Sequence, residues 1–169
     1  MFLVFLPNDL VAISVVNNAP VVTTAARSQI VAKSELTSVI ADLRGHKIKK
    51  VLIYHVPVRI EAFVSLTGAA VLSRYESKLE LICPIRYGKA SIVRNFLYSC
   101  EATTFSPTIY KFPDIRWVIV LQSKSGKCLH EIDIDGAEPH ACVINGVVVG
   151  CNNDLVHWIE STGGASMSD

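Results

Sequence analysis

RWVIVLQSKSGKCLHEIDIDGAEPHACVINGVVVG, residues 116–150, decides how the chain is read. RWVIVLQS, CLHEIDID and HACVINGVVVG are runs rich in β-branched and apolar residues, which fit a pleated, half-buried surface. Between them, KSGK and GAEP carry the small, flexible and φ-fixing residues that reverse a chain. The pattern predicts a three-stranded antiparallel meander. A turn-rich segment, TFSPTIYKFPD at 104–114, separates it from the text before it. After it, Asn153 and Asp154 are good helix caps, and Leu155, Trp158 and Ile159 share one helical face.

The chain opens in a similar way. MFLVFLPNDLVAISVVNNAPVVTTAA is apolar, but Pro7-Asn8-Asp9 and Asn17-Asn18-Ala19-Pro20 cut it into pieces of strand length: Phe2 to Leu6, Leu10 to Val16 and Val21 to Thr24. No lysine or arginine precedes Arg27, so the stretch lacks the basic start of a secretory signal, and its pieces are too short to span a bilayer. It reads as another meander. Ser34 then predicts a helix N-cap, Leu36, Val39, Ile40 and Leu43 repeat at helical spacing, and Gly45 predicts a left-handed stop. KKVLIYHVP and KLELICP read as strands, and Ile60, Phe63, Val64 and Val71 as a less regular helix between them. Ile92, Val93, Phe96 and Leu97 place a further helix within Gly88 to Cys100.

The order is therefore β-β-β-α-β-α-β-α, then β-β-β-α. It predicts an α/β fold (α+β, with mixed sheets covered by helices), in two subdomains at 1–105 and 106–160 followed by a Gly/Ser-containing flexible tail at 161–169.

Composition narrows the function. Sixteen Lys and Arg against fifteen Asp and Glu leave no concentrated positive charge of the kind nucleic-acid binders show. Half of the residues are apolar, and surplus apolar surface marks partner binding, so a subunit is favoured over a free monomer, with a homo-oligomer one form open to it. The five cysteines (Cys83, Cys100, Cys128, Cys142, Cys151) are odd in number and lack a Cys-x-x-Cys pair. They are expected to be free, mostly buried thiols in a reducing, cytoplasmic setting.

The element order resembles the actin-like (ribonuclease H-like) ATPase superfamily, in which each subdomain opens with a three-stranded antiparallel meander. Within it the chain is most similar to the cytoplasmic domains of type IV pilus and type II secretion inner-membrane platform proteins, the PilM and GspL group, including those of bundle-forming pilus systems. That resemblance implies a noncatalytic cytoplasmic scaffold of a bacterial inner-membrane complex. Its partners would be the pilus assembly ATPase and a polytopic inner-membrane core protein, and its membrane attachment a transmembrane helix outside this sequence.

The superfamily's phosphate loops are Asp-x-Gly turns, and neither counterpart matches. Leu6-Pro7-Asn8-Asp9 has no glycine, and Ser123-Lys124-Ser125-Gly126-Lys127 has no aspartate. The resemblance thus implies a scaffold without nucleotide hydrolysis: no catalytic residues, no cofactor and no metal are assigned, and the partner-contact surface is left open. The rival readings are an actin-like ATP-binding enzyme with atypical loops, and an unrelated soluble adaptor or immunity protein.

Other chemistry has simpler explanations. Ser125-Gly126-Lys127 lacks the earlier glycine of a P-loop, position 121 being leucine, and reads as a hairpin turn. Glu131, Asp133 and Asp135 alternate, so all three carboxylates share one strand face; a solvated face explains them more simply than a divalent cation. His46, His55, His130, His140 and His157 have no zinc-ligand spacing. His55, at the end of a buried strand, reads as structural. Arg44, His46, Lys47, Lys49 and Lys50 form the densest basic segment, read as a solvated loop rather than a lipid-facing one.

Overall fold

A computed structural model describes residues 24–57, 65–83, 91–107, 112–137 and 139–163. The N-terminal meander (apart from Thr24), the Leu6–Asp9 turn and residues Ile60, Phe63, Val64 and Gly88 lie outside them, as do 164–169 of the expected tail.

The elements are α1 (Thr24–Arg44), β1 (Lys50–His55), α2 (Gly68–Arg74), β2 (Ser77–Ile82), α3 (Ile92–Ala102), β3 (Phe105–Ser106), β4 (Ile115–Gln122), β5 (Cys128–Asp135), β6 (Ala141–Ile144), β7 (Val147–Cys151) and α4 (Asp154–Gly163). The strands form one open sheet in the order β2-β1-β4-β5-β6-β7-β3. Every pairing in it is antiparallel, where a mixed sheet was expected. Strands from both sides of residue 105 share this sheet, with β1 paired directly to β4.

Side-chain parity sends alternate residues to two cores. On one face, Val51, Ile53, Ile119, Leu121, Ile132, Ile134 and Ile144 pack against α1, α3 and α4. On the other, Leu52, Val118 and Val120 pack against Val71 of α2. Strand β4 is buried on both faces, which is why its sequence is a continuous apolar run rather than an alternating one. Helices α3 and α4 meet at Phe96 and Trp158, whose ring centroids lie 4.5 Å apart. The Trp158 indole N–H donates to the Ile92 carbonyl at 3.2 Å.

Several boundaries differ from the expectation. Helix α1 begins at Thr24, so Ser34 lies inside it and caps nothing, and Thr24 is helical rather than the end of a strand. Its buried stripe, Ala32, Leu36, Val39 and Leu43, extends the expected periodicity backwards. The left-handed residue after it is His46, at φ 55°, and not Gly45. Helix α4 takes in Ser161 to Gly163, which composition assigned to the tail. HACVINGVVVG is two strands rather than one. Asn145 and Gly146, at φ 47° and 86°, form the two-residue turn whose twist suits a hairpin.

That turn also ties α1 to the sheet. Asn145 Oδ1 accepts from the Glu131 backbone N–H at 2.9 Å, and its amide nitrogen donates to Glu35 Oε2 at 2.6 Å. The same nitrogen lies 3.2 Å from His130 Nδ1, and His130 Nε2 is 3.0 Å from Asp42 Oδ2. Two acids of α1 are thus held by one turn and one strand.

The cysteines are not all free. Cys142 of β6 and Cys151 of β7 form a disulfide, leaving Cys83 and Cys100 as buried thiols and Cys128 as an exposed one. The two partners fall on the same sheet face at diagonal positions, a proximity that the unread hairpin concealed.

Two outcomes are expected in urea denaturation. Asn145→Ala should cost about 1 to 3 kcal/mol, because it removes the left-handed turn residue and leaves polar groups without a partner, whereas Gly146→Ala should cost about 1 kcal/mol through its positive φ alone. Reducing the disulfide should cost about 2 to 3 kcal/mol, since Cys142 and Cys151 close a short loop in the unfolded chain, and a Cys142→Ala/Cys151→Ala double variant should show no response to reductant.

Candidate functional site

The sheet face on which α2 packs holds the most unusual side chain of the described residues. Asp133 sits on β5, opposite Val118 of β4 on one side and Val143 of β6 on the other. It is only 7% exposed. Gly68, the first residue of α2, lies directly against its carboxyl group, so close that a methyl there would overlap it. Burial, and secondarily the charge of Glu131, push its pKa up to about 7. Oxygen Oδ1 is buried and accepts no hydrogen bond.

Asp135, two residues on and on the same face, shows what a satisfied neighbour looks like. Its Oδ1 accepts from the Ala137 N–H at 3.0 Å, and its carbonyl lies 3.1 Å from His140 Nδ1. Its pKa is also raised by burial, with backbone hydrogen bonds opposing the shift. The solvated face expected for Glu131, Asp133 and Asp135 is therefore corrected: two of the three carboxylates are buried, and at Asp133 the start of α2 provides the cover.

Asp133 forms part of the wall of a cavity of about 670 Å³, with Leu66, Thr67, Phe112, Ile115 and Val143 among the other lining residues. An ion pair fixes the loops that build it. The register of β4 against β5 shifts at Arg116, turning that side chain toward Asp114. Arg116 donates from Nε and Nη2 to Asp114 Oδ2 at 2.9 and 2.7 Å, and from Nη1 to the Pro57 carbonyl at 3.1 Å. The other Asp114 oxygen accepts from the Leu66 N–H at 2.8 Å, and the Leu66 carbonyl accepts from the Ile115 N–H at 2.9 Å. Thr67 then caps α2, its hydroxyl accepting from the Ala70 N–H at 3.2 Å. Phe112, 75% exposed, stands at the rim.

The other sequence candidates are dispersed. His55 stacks on Trp117 across β1 and β4, with ring centroids 3.6 Å apart, in keeping with a structural role. His130 belongs to the α1 clamp. Ser123 to Lys127 is a hairpin turn, closed by a Ser123 N–H to Lys127 carbonyl bond of 2.9 Å. In the basic segment, Arg44 pairs with Glu101, Lys47 with Asp42 and Lys50 with Glu80, so much of its charge is neutralised within the chain. The Lys47 contact is the leading reason why Asp42 is held below the usual carboxylate range. Among the described residues, no three His, Cys, Asp or Glu side chains converge as a metal site, and no helix is long and apolar enough to cross a membrane.

The alternation along β5 marks Asp133 only as a surface acid or metal ligand, and no motif singles out Gly68 or Phe112. The available signal was Gly68-Ala69-Ala70, a run of small residues that lets a helix settle closely onto a sheet. Comparison with protein-family profiles, curated proteins and solved structures finds no match to this chain.

The Asp133 environment makes a signed prediction. Its folded pKa, about 7, lies above the ordinary value of 3.8, so the folded state holds the extra proton and stability falls as pH rises between those values. The loss should be on the order of 4 kcal/mol, complete above the folded pKa. Asp133→Asn should abolish it, and urea midpoints measured at about pH 5 and about pH 8 should separate in the native chain by correspondingly more than in the variant.

Proposed function

We propose that this chain is a noncatalytic cytoplasmic scaffold domain of a type IV pilus biogenesis inner-membrane complex, which recruits or couples the assembly ATPase to the membrane platform. An actin-like ancestry belongs to the same proposal. It rests on the order of elements in the sequence alone, because the single all-antiparallel sheet is not the mixed sheet that ancestry implies.

The observation that carries a binding role is the apolar cavity beside Phe112, on the sheet face where α2 packs. Apolar surface left in water is stabilised by being covered, and aromatic side chains at the edge of a pocket are favoured anchors for a partner. Supporting this, β2 is an edge strand among the described residues, and its exposed residues include Ile82, at 73% exposure. An exposed edge offers backbone hydrogen bonds to a docking strand.

The Cys142–Cys151 disulfide favours a second reading, an unrelated soluble adaptor from an oxidising compartment, because cytoplasmic thiols are kept reduced.

Pull-down with the immobilised chain distinguishes the two. The first reading expects retention of the assembly ATPase, the polytopic core protein or both, and about tenfold weaker retention by Phe112→Ser. Absence of both contacts under reducing and oxidising conditions would end it and leave the adaptor.

A further inference from the structure

Buried polar groups in folded domains are almost always hydrogen-bonded, and a buried charge is normally paired. Asp133 departs from the first rule, its Oδ1 accepting no hydrogen bond, while lining a cavity large enough for a small molecule. The strand is able to satisfy a carboxylate, as Asp135 does with the Ala137 N–H. What Asp133 lacks is a donor from outside the chain's own described elements.

The charges around it specify that donor. Along β5 its neighbours on the same face are Glu131 and Asp135, both acidic. From β4, Arg116 is already engaged by Asp114 and the Pro57 carbonyl. Opposite it, β4 and β6 supply Val118 and Val143. Helix α2 presents Gly68, and its sole charged residue, Arg74, lies at the far end. Among the described residues, an added positive charge would therefore meet acidic potential on apolar walls.

We propose that the cavity binds a small apolar primary amine, its ammonium group donating to Asp133 and its hydrocarbon body lying against Leu66, Phe112, Ile115 and Val143. An ammonium has three N–H donors, a number that Asp133 and the Ser65 and Thr67 hydroxyls at the wall can meet; a guanidinium has five. A calcium or magnesium ion would require about six or more oxygen ligands, and no metal-holding cluster is present among the described residues. The ammonium opposes the burial and Glu131 repulsion that keep the proton on Asp133, so binding releases that proton and strengthens as pH rises. This proposal does not depend on the pilus assignment.

The test is an NMR titration of the purified full chain with 2-phenylethylamine and with its neutral counterpart, 2-phenylethanol. At about pH 8 the amine should bind at least about tenfold more tightly than the alcohol, and the advantage should shrink by about tenfold at about pH 6. Asp133→Asn should bind the two equally. Val148→Trp, which fills the cavity from β7 without altering the carboxylate, should lose both ligands while keeping a dispersed amide spectrum. Equal binding of amine and alcohol by the native chain, an amine preference that survives in Asp133→Asn, or no binding at concentrations up to about 10 mM would overturn the proposal.

Discussion

Two-sided burial of β4 is the constraint on which the rest of the molecule depends. A strand at the middle of an antiparallel sheet with apolar residues on both faces needs a cover on each side, and this chain supplies unequal ones. Helices α1, α3 and α4 close one face with a continuous core running from Val51 through Ile119 and Ile132 to Ile144. Among the described residues, the opposite face receives α2, a helix of seven residues. Seven residues rise only about 10 Å, so α2 cannot shield as wide a sheet as three helices do.

The site follows from that inequality. Where α2 comes closest, Gly68 allows its backbone to rest on β5, and the contact largely buries Asp133 without providing it a donor. The cavity opens where the cover ends. Its loops are nevertheless firmly built, because the Asp114–Arg116 pair gathers the Pro57 carbonyl, the Leu66 amide and the start of β4 around one guanidinium and one carboxylate. A pocket supported in this way is preformed, which limits the ordering cost of filling it.

On the better-covered face, polar groups hold elements in register instead of creating a site. Glu35 and Asp42 of α1 reach Asn145 and His130, so the helix is positioned along the sheet by hydrogen bonds as well as by its apolar stripe. The disulfide lies on this same face, with both cysteines buried, and reinforces the hairpin whose turn supplies Asn145. Helix placement, turn geometry and covalent closure thus act on the same few residues.

The sequence by itself determined the local elements: the strands KVLIYH, SKLELI and IRWVIVLQ, the helical stripe Leu36–Val39–Leu43, and the buried face of the last helix. Those features are carried by periodicities of two and 3.6 residues, which any short window displays. Even there, Asn145-Gly146 was legible as a hairpin turn and its two flanking strands were read as one, because the apolar text on either side is nearly uniform. Strand pairing, the fate of each cysteine and the burial of Asp133 were decided by tertiary structure. Alternation shows that Glu131, Asp133 and Asp135 share a face, but whether water or a helix meets that face depends on a segment some sixty residues earlier in the chain.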